Sequence, residues 1–306
     1  QQSVCGPSRA SLMTGTYPDT TKVYDLKTML PAANPDTLTL PEYLRTHGYE
    51  TTGTGKIYDP RSVDDELDAP SWSQPFQLND LDPYFAPGFK KPKGGYFDPE
   101  VAQENKQLRQ YMKKEGIKRK DKQAYAAALS KFPNVKPLTE CMDVLDDAYD
   151  DGAIANCAVD QMASLSKGEQ PFFLAVGFKK PHLPFVAPKK YWDLYDRSKI
   201  KLAEFQEMPE GAPDFAGQDS WELRGSYSGV APGPISADLQ QELIHAGTEP
   251  VSATSMPWWA SCWISWRPWA WRRTRSLCCG AITAGTSVTT ECFASTLTTS
   301  KRCEHR

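Results

Sequence analysis

The stretch CGPSRASLMTG, residues 5–15, places a cysteine directly before a helix signal. Pro7 and Ser8 are residues that often start a helix, Leu12–Met13 can continue it, and Gly15 can end it. A helix N-terminus favours anions, because its first backbone N–H groups have no partner within the helix. We therefore predict a short helix whose start, beside the cysteine, can hold a negatively charged group.

The segments that follow alternate between helix and strand patterns. Thr39–Gly48 carries a proline near its start and a glycine at its end, which favours a short helix. Tyr49–Thr52 fits a strand, which we expect the chain to leave through residues 53–55. Asp59–Gly95 is rich in proline, aspartate, glycine and aromatic residues, and we interpret it as a long surface excursion.

Further along the chain, two amphipathic helices precede a buried strand. Val101–Gly116 and Asp150–Gly168 show the apolar spacing of helices, and Pro171–Gly177 is a short, continuous apolar run typical of a strand inside an α/β sheet. Residues 179–185 follow at the carboxyl end of that strand, where open α/β sheets place their ligands. The order of elements predicts an α/β fold.

The composition argues against two classes of protein. With 306 residues the chain can bury one large core or two small ones, and a net charge of −3 argues against a nucleic-acid binder. No stretch approaches the roughly 18 apolar residues that predict a membrane span, so we expect no membrane partner. The chain opens on Gln1-Gln2 without a methionine or an apolar run, and we expect an internal cut there that removes any location signal.

The composition changes abruptly towards the carboxyl end. Five of the eight cysteines lie between residues 262 and 303, and six of the nine tryptophans lie between Trp258 and Trp271. A change of this kind marks a boundary. The cysteines form no C-x-x-C pair that would predict a zinc site, whereas a disulfide module stays open as an alternative.

Residues 5–15 resemble the sulfatase signature C-x-P-S-R-x-x-x-x-T-G and match it at every fixed position. In that family a separate maturation enzyme reads the Cys-x-Pro-x-Arg core and oxidises the cysteine to formylglycine. Tyr17–Asp25 and Gly177–Phe185 look like the iduronate-2-sulfatase branch in particular. The resemblance covers residues 1–246 and implies an alkaline-phosphatase-like α/β fold, with a central mixed sheet flanked by helices, present here incompletely.

The resemblance implies roles for five residues. Cys5 is the formylglycine precursor, and the formylglycine oxygen is also a calcium ligand. Arg9 holds the formylglycine and the sulfate, and Lys56, in a Gly-Lys pair after a strand, binds sulfate. His182, in a Lys-Pro-His motif, contacts the sulfate or the leaving oxygen, and Lys180 is a further substrate-binding candidate at the same anion site.

Each of these residues also has a plain structural interpretation. Cys5 alone would be read as a small buried thiol, and Arg9, Lys56 and Lys180 as solvated cations. The complete signature favours the catalytic interpretation of Cys5. His182 stands between two prolines that fix its loop, which favours a functional role for it as well.

The chemistry of sulfate esters agrees with this set of residues. Hydrolysis needs a nucleophile, cations around the sulfate oxygens and a proton for the leaving alcohol. A hydrated aldehyde carries two hydroxyls on one carbon: one attacks sulfur and displaces the alcohol, and the other drives the collapse that ejects sulfate. The nucleophile is thereby regenerated without water attacking sulfur.

The chain departs from the family at one site position and in its tail. The human-type pattern has a histidine three residues after Lys56, where this chain has Asp59, so that role is not carried over. We interpret His47 as structural, and His245 has no motif around it. In the family, a first strand that ends in Asp-Asp supplies calcium ligands, and we expect this chain to start after that strand. The family's later Ser/Gly-Asp-His-Gly segment, which supplies the remaining ligand, does not appear in residues 247–306 as written.

We interpret the sequence of the tail as the product of a shifted reading frame. When the frame is shifted one nucleotide upstream, Ala281–Cys292 becomes compatible with GDHGWHLGDHGM, which contains the missing family segment. We therefore expect residues 1–246 to be a partial sulfatase catalytic domain and residues 247–306 a frameshifted tail without a native fold. We also expect the chain as written to be inactive.

The resemblance thus predicts a sulfuric ester hydrolase that acts on a sulfated saccharide and is matured by a formylglycine-generating enzyme. Its cofactors would be calcium and the formylglycine at Cys5, and the family expectation for location is export or the lysosome. A phosphonate or phosphate monoester hydrolase of the same superfamily is the alternative enzyme. A non-catalytic glycan-binding protein of the same fold is the alternative without chemistry.

Overall fold

The computed structural model describes residues 4–59, 61, 63, 68–76, 81–213, 221–230 and 233–248, together with the backbone of two short strands at 277–279 and 293–295. The chain divides into two compact units. The first comprises Gln1–Phe85, Asp150–Lys179 and Met256–Arg306, and the second comprises Ala86–Tyr149 and Lys180–Ser255.

The described residues form helices and strands in alternation. The helices are α1 (Cys5–Thr14), α2 (Pro18–Thr21), α3 (Leu30–Ala33), α4 (Leu40–Thr46), α5 (Pro99–Lys114), α6 (Lys122–Leu129), α7 (Asp150–Leu165), α8 (Lys189–Trp192), α9 (Trp221–Ser226) and α10 (Ala237–Thr248). The strands are β1 (Glu50–Gly55), β2 (Thr139–Met142), β3 (Phe172–Gly177), β4 (Phe185–Pro188), β5 (Leu277–Cys279) and β6 (Phe293–Ser295). Single 3₁₀ turns occur at Ala69–Ser71, Asp82–Tyr84, Lys93–Gly95, Asp146–Ala148 and Arg197–Lys199.

Helix α1 confirms the expectation from residues 5–15, with one change. Gly15 ends the helix in the left-handed conformation, at φ 66°, which glycine adopts without steric cost. The helix begins at Cys5 and not at Pro7, so the cysteine is its first residue and Val4 is the extended N-cap. Met13 on this helix packs into a core with Ile57, and Cys5 therefore sits on a well-anchored element.

In the first unit, β1 and β3 pair in parallel from Glu50↔Phe172 to Gly55↔Gly177, and α7 packs against both strands. The predicted strand at Pro171–Gly177 is confirmed. The expectation that the chain leaves the strand at residues 53–55 is wrong, because these residues continue the ladder to its end. Both strands therefore end at the same point, directly before the candidate site residues.

The surface interpretation of Asp59–Gly95 is wrong for much of that segment. Trp72 and Leu81 are buried, and Trp72 stacks on Phe76 with ring centroids 5.3 Å apart. Ser73 follows β1 closely, since its backbone N–H donates to the carbonyl of Thr51 at 2.9 Å. Aromatic residues between prolines and glycines supply part of the core here, because the segment folds back over the first strand.

The second unit contains a second parallel pair, β2 with β4, from Thr139↔Phe185 to Met142↔Pro188. The carboxylate of Glu140 on β2 is buried and accepts hydrogen bonds from the backbone N–H of Phe97 and Asp98 and from the Tyr149 hydroxyl. These bonds join the strand to the start of α5. Both strands are only four residues long, which left no periodic signal in the sequence.

The α/β class is confirmed by these parallel pairs and flanking helices. The described strands form three separate two-stranded sheets, so the expected single mixed sheet is not seen among the described residues. The third sheet pairs β5 with β6 antiparallel. The rest of residues 249–306, where the frameshifted tail is predicted, lies outside the described residues. Among the described helices, none is long and apolar enough to span a bilayer.

Candidate active site

The Cys5 side chain lies at the N-terminus of α1 and is almost fully buried. Its Sγ donates a hydrogen bond to the Asp59 Oδ2 at 3.0 Å. The first turn of α1 contains no acidic residue, so no carboxylate within the helix competes for its N-terminal N–H groups. Position 5 therefore combines a buried reactive group with the partial positive charge of a helix start.

Asp59 is the residue that organises this site, and sequence reasoning missed it. Its carboxylate is buried and accepts three hydrogen bonds from Arg61: from Nε at 2.7 Å, from Nη2 at 2.8 Å and from the backbone N–H at 3.1 Å. The Lys56 Nζ lies 3.8 Å from its Oδ2. An aspartate three residues after the family lysine was visible in the sequence, but nothing local indicated that it turns towards Cys5.

The pKa values of the two partners move in opposite directions. Burial raises the pKa of the Cys5 thiol above its ordinary value, and the hydrogen bond to Asp59 raises it further. Burial also opposes ionisation of Asp59, but the hydrogen bonds from Arg61 and Cys5 outweigh it and hold the pKa of that carboxyl well below its usual range. The site therefore contains a neutral thiol beside an ionised carboxylate.

Arg9 lies one helical turn after Cys5 and is only 8% exposed. Its Nη1 donates to the carbonyl oxygens of Lys56 and Ile57, the latter at 3.1 Å, and its buried Nε has no hydrogen-bond partner among the described residues. Burial lowers the pKa of the guanidinium. The observed contacts of Arg9 thus tie α1 to the turn that follows β1.

Lys56 follows the end of β1, where the two strands approach closely. Its backbone N–H donates to the carbonyl of Gly177 at 2.7 Å, and Gly55 adopts φ 77° at the same point. Lys56, Cys5 and Arg9 thus lie together at this end of β1, and their roles in catalysis stay predictions.

His182 and Lys180 belong to the second unit. The His182 Nδ1 donates to the carbonyl of Leu183 at 2.7 Å, and its Nε2 lies 3.4 Å from the Glu222 carboxylate. The Lys180 ammonium donates to the carbonyls of Pro184 and His182. These contacts hold the loop between β3 and β4, and the proposed roles of both residues in sulfate binding stay predictions.

The remaining described histidines have structural surroundings. His47 directly follows α4, and its Nδ1 lies 2.8 Å from the carbonyl oxygen of Tyr43. Its ring is tilted by 33° against the Tyr43 ring, with centroids 4.1 Å apart. His245 in α10 is buried, with its Nε2 3.2 Å from the carbonyls of Trp192 and Tyr195. The structural interpretation of His47 agrees with these contacts.

The predicted calcium ion does not fit the described residues. Within the described ranges, no group of three or more His, Cys, Asp and Glu side chains is arranged to hold a metal ion. Calcium needs about six to eight oxygen ligands, whereas the Asp59 carboxylate beside Cys5 is engaged by Arg61 and Lys56. We therefore derive no step through a metal, and calcium binding stays a prediction for a longer protein.

The arrangement around Cys5 can bind and polarise an anion. Lys56 and Arg61 pair with the buried Asp59 carboxylate, and Arg9 donates to the carbonyls of Lys56 and Ile57 beside them. Among these described groups three cations meet one carboxylate, so their summed charge is positive when the thiol is neutral. A group placed at the start of α1 would meet both these cations and the helix N-terminus.

The chain is similar in sequence to known proteins. A protein-family model described as Sulfatase matches residues 1–231. The chain is 28% identical to human iduronate 2-sulfatase over 249 residues, which cover 79% of this chain and 40% of that protein. It is 26% identical to a sulfatase of Formosa agariphila (66% and 34% covered) and 27% identical to the choline-sulfatase of Rhizobium meliloti (67% and 34% covered).

A solved structure, that of Ps i-CgsB in complex with k-i-k-neocarrahexaose, matches 88% of this chain and 45% of its own at 16% identity. Its TM-score is 0.45, and a likeness this low adds nothing to the assignment. The chain spans about 40% or less of the length of the curated relatives named above. Because the family model covers most of the chain and includes the Cys5 signature, this chain belongs to the sulfatase family.

Proposed function

We propose that the protein containing this chain hydrolyses sulfate esters through a formylglycine made from Cys5. The observation that carries the proposal is the position of Cys5. The complete sulfatase signature places it at the N-terminus of α1, buried and hydrogen-bonded within a cluster of cations. A buried thiol needs none of these neighbours for packing, whereas a nucleophile that attacks a sulfate needs an electropositive site.

The chain's own residues support this chemistry in distinct ways. A formylglycine at position 5, in its hydrated form, would supply one hydroxyl to attack sulfur and a second to release sulfate. Arg9 fixes the carbonyls of Lys56 and Ile57, and so sets the path of the chain that carries the Lys56 ammonium. Lys56 offers positive charge to the sulfate oxygens. We retain His182 and Lys180 as proposed sulfate contacts on the strength of the Lys-Pro-His motif.

For the substrate we propose a sulfated saccharide. Support comes from the two iduronate 2-sulfatases, human and mouse, which are both 28% identical to this chain over 249 residues. The choline-sulfatase relative is named for a different alcohol, so family membership by itself does not choose the substrate. A formylglycine-generating enzyme is the proposed maturation partner.

The test uses the full-length protein with the reading frame after residue 246 restored, co-expressed with a maturation enzyme. We expect mass spectrometry to find formylglycine at position 5, and we expect turnover of a sulfated disaccharide that Cys5→Ala abolishes. Cys141→Ala, which changes an exposed cysteine of the second unit, is the matched control and should retain turnover.

Three outcomes would contradict the proposal. The first is turnover that survives Cys5→Ala, because the nucleophile would then lie elsewhere. The second is a phosphate or phosphonate monoester turned over faster than the matching sulfate ester, which would favour the alternative enzyme class. The third is binding of a sulfated saccharide without any turnover in the matured protein, which would favour a glycan-binding protein.

A further inference from the structure

Arg61 is a cation of the site that no sequence motif singles out. Its guanidinium binds the Asp59 carboxylate through two atoms, Nε at 2.7 Å and Nη2 at 2.8 Å. The same Nη2 lies 4.0 Å from the Cys5 Sγ. Two parallel hydrogen bonds fix the plane of a guanidinium as well as its position, so Arg61 is held at a defined distance from the nucleophile position.

The three cations around Cys5 differ in their access to solvent. Arg9 is 8% exposed and its Nη1 donates to backbone carbonyls. The Lys56 side chain is 16% exposed, whereas the Arg61 side chain is 56% exposed. Of these three cations, Arg61 is therefore the one that a ligand arriving from solvent reaches most readily.

A buried carboxylate at this point needs an explanation, since its charge repels an approaching sulfate. Asp59 holds the side chain at position 5 through one oxygen and Arg61 through both. Arg61 cancels the unfavourable charge, and the pair has no net charge. The carboxylate thereby holds the side chain at position 5 and the Arg61 guanidinium next to each other, although the two residues are far apart in sequence.

We propose that Asp59 and Arg61 act as a pair in substrate binding, in which Asp59 positions Arg61 beside residue 5 and the Arg61 guanidinium binds the sulfate group. This inference rests on the proposed function for the identity of the anion. A sulfur atom attacked from position 5 must approach to about 3–3.5 Å. A guanidinium 4.0 Å from that side chain is then within reach of the sulfate oxygens, which accept charged hydrogen bonds at about 2.7–2.9 Å.

The test measures binding of inorganic sulfate to the full chain by equilibrium dialysis with radiolabelled sulfate, at constant ionic strength kept with chloride. We expect Arg61→Gln to weaken sulfate binding by about 10-fold to 100-fold, the effect of losing a hydrogen bond to a charged group. Arg61→Lys keeps the charge but loses the planar fork, so it should fall between Arg61→Gln and the unchanged protein.

Arg45→Gln is the matched control. Arg45 is an exposed arginine of the same unit, and its Nη1 donates to the carbonyls of Ala69 and Pro70 rather than to Asp59. Its substitution should leave sulfate binding unchanged if the effect at Arg61 is specific. Thermal unfolding monitored by circular dichroism checks that each variant is folded before binding is measured.

The role of Asp59 is tested by combining substitutions. In an Asp59→Asn background Arg61 has lost its charged anchor, so Arg61→Gln should weaken sulfate binding by a clearly smaller factor than it does in the unchanged protein. Equal factors in the two backgrounds would overturn the positioning role, because independent residues contribute additively.

The inference and the proposed function fail in different ways. An unchanged chain that binds no sulfate, or an Arg61→Gln variant that binds it as well as Arg45→Gln, overturns the role of Arg61. Sulfate binding that depends on Arg61 supports the role of Arg61 whatever the state of Cys5. A Cys5 that is never converted to formylglycine in the full-length protein contradicts the proposed function and leaves the role of Arg61 standing.

Discussion

Asp59 shows how one side chain can change the character of a site without altering its motif. The family signature around Cys5 is complete, yet the group that contacts the thiol is an aspartate where the human-type pattern has a histidine. An ionised carboxylate cannot donate a hydrogen bond, so Cys5 must be the donor in this pair. The Asp59 carboxylate is in turn paired with two cations, Arg61 and Lys56.

The first prediction concerns the pH dependence of stability. The pKa of Asp59 in the folded protein lies below its unfolded value of about 3.9. Its ionised form therefore stabilises the fold fully above that value, and the contribution declines as the pH falls from that value through the lower pKa of the folded protein. We expect Asp59→Asn to lower the free energy of unfolding at pH 7, and the difference from the unchanged protein to shrink by pH 3.

Urea unfolding at the two pH values measures this effect. Asp36→Asn, at an exposed aspartate of the same unit, is the control and should change little at either pH. A difference between Asp59→Asn and the unchanged protein that stays constant from pH 7 to pH 3 would show that the ionised carboxylate does not stabilise the fold.

At the scale of elements, the site depends on how closely β1 and β3 end together. A methyl group added at Gly177 would overlap the carbonyl of Lys56, and one added at Gly55 would overlap the carbonyl of Gly177. Both strands therefore end in glycine because the backbones pass in direct contact. This contact places the Lys56 carbonyl where Arg9 can donate to it.

The second prediction follows from that contact. Gly177→Ala should destabilise the protein by about 1–3 kcal/mol, the usual cost of forcing an extra carbon into a packed region. The same change should weaken sulfate binding, since the segment that carries Lys56 must move. Gly168→Ala is the control: a methyl there meets its nearest neighbour, the carbonyl of Leu165, at 3.4 Å, and should be tolerated. Chemical denaturation measures the free energy of unfolding of both variants, and equal values for the two would contradict the prediction.

At the scale of the whole molecule, the chain covers only part of its relatives. It spans 40% of human iduronate 2-sulfatase, and within the described residues no carboxylate cluster forms that could hold a metal ion. Cations at Arg9, Lys56 and Arg61 are then the described charges that oppose a sulfate at Cys5. Electrostatic stabilisation of the transition state is often the largest catalytic contribution, so the rate should depend strongly on how many cations face the sulfate.

The third prediction is that the chain as written shows no sulfatase turnover, even with Cys5 matured. The protein with its frame restored after residue 246 should be active, and exhaustive chelation should remove that activity if calcium supplies the missing charge. Hydrolysis of an aryl sulfate is measured for the chain as written, for the protein with its frame restored, and for the restored protein after chelation. Turnover by the chain as written that Cys5→Ala abolishes would refute the inactivity while supporting the proposed function.

The sequence by itself determined the elements that have strong local signals. Gly15 ends α1 as predicted, and the apolar run before Gly177 forms β3. Periodic spacing located α5 and α7 to within a few residues. Such features depend on neighbours a few positions apart, so a single chain displays them.

Only the tertiary structure decided how the site is assembled. Asp59 meets Cys5 across 54 positions of sequence, and Trp72 is buried although its surroundings resemble a surface loop. The first contact depends on the turn after β1, where Lys56 bonds to Gly177 on β3, and the second on the core cluster that Trp72 shares with Met13 and Ile57. No local propensity describes a contact between segments so far apart, because it comes from the packing of the folded chain.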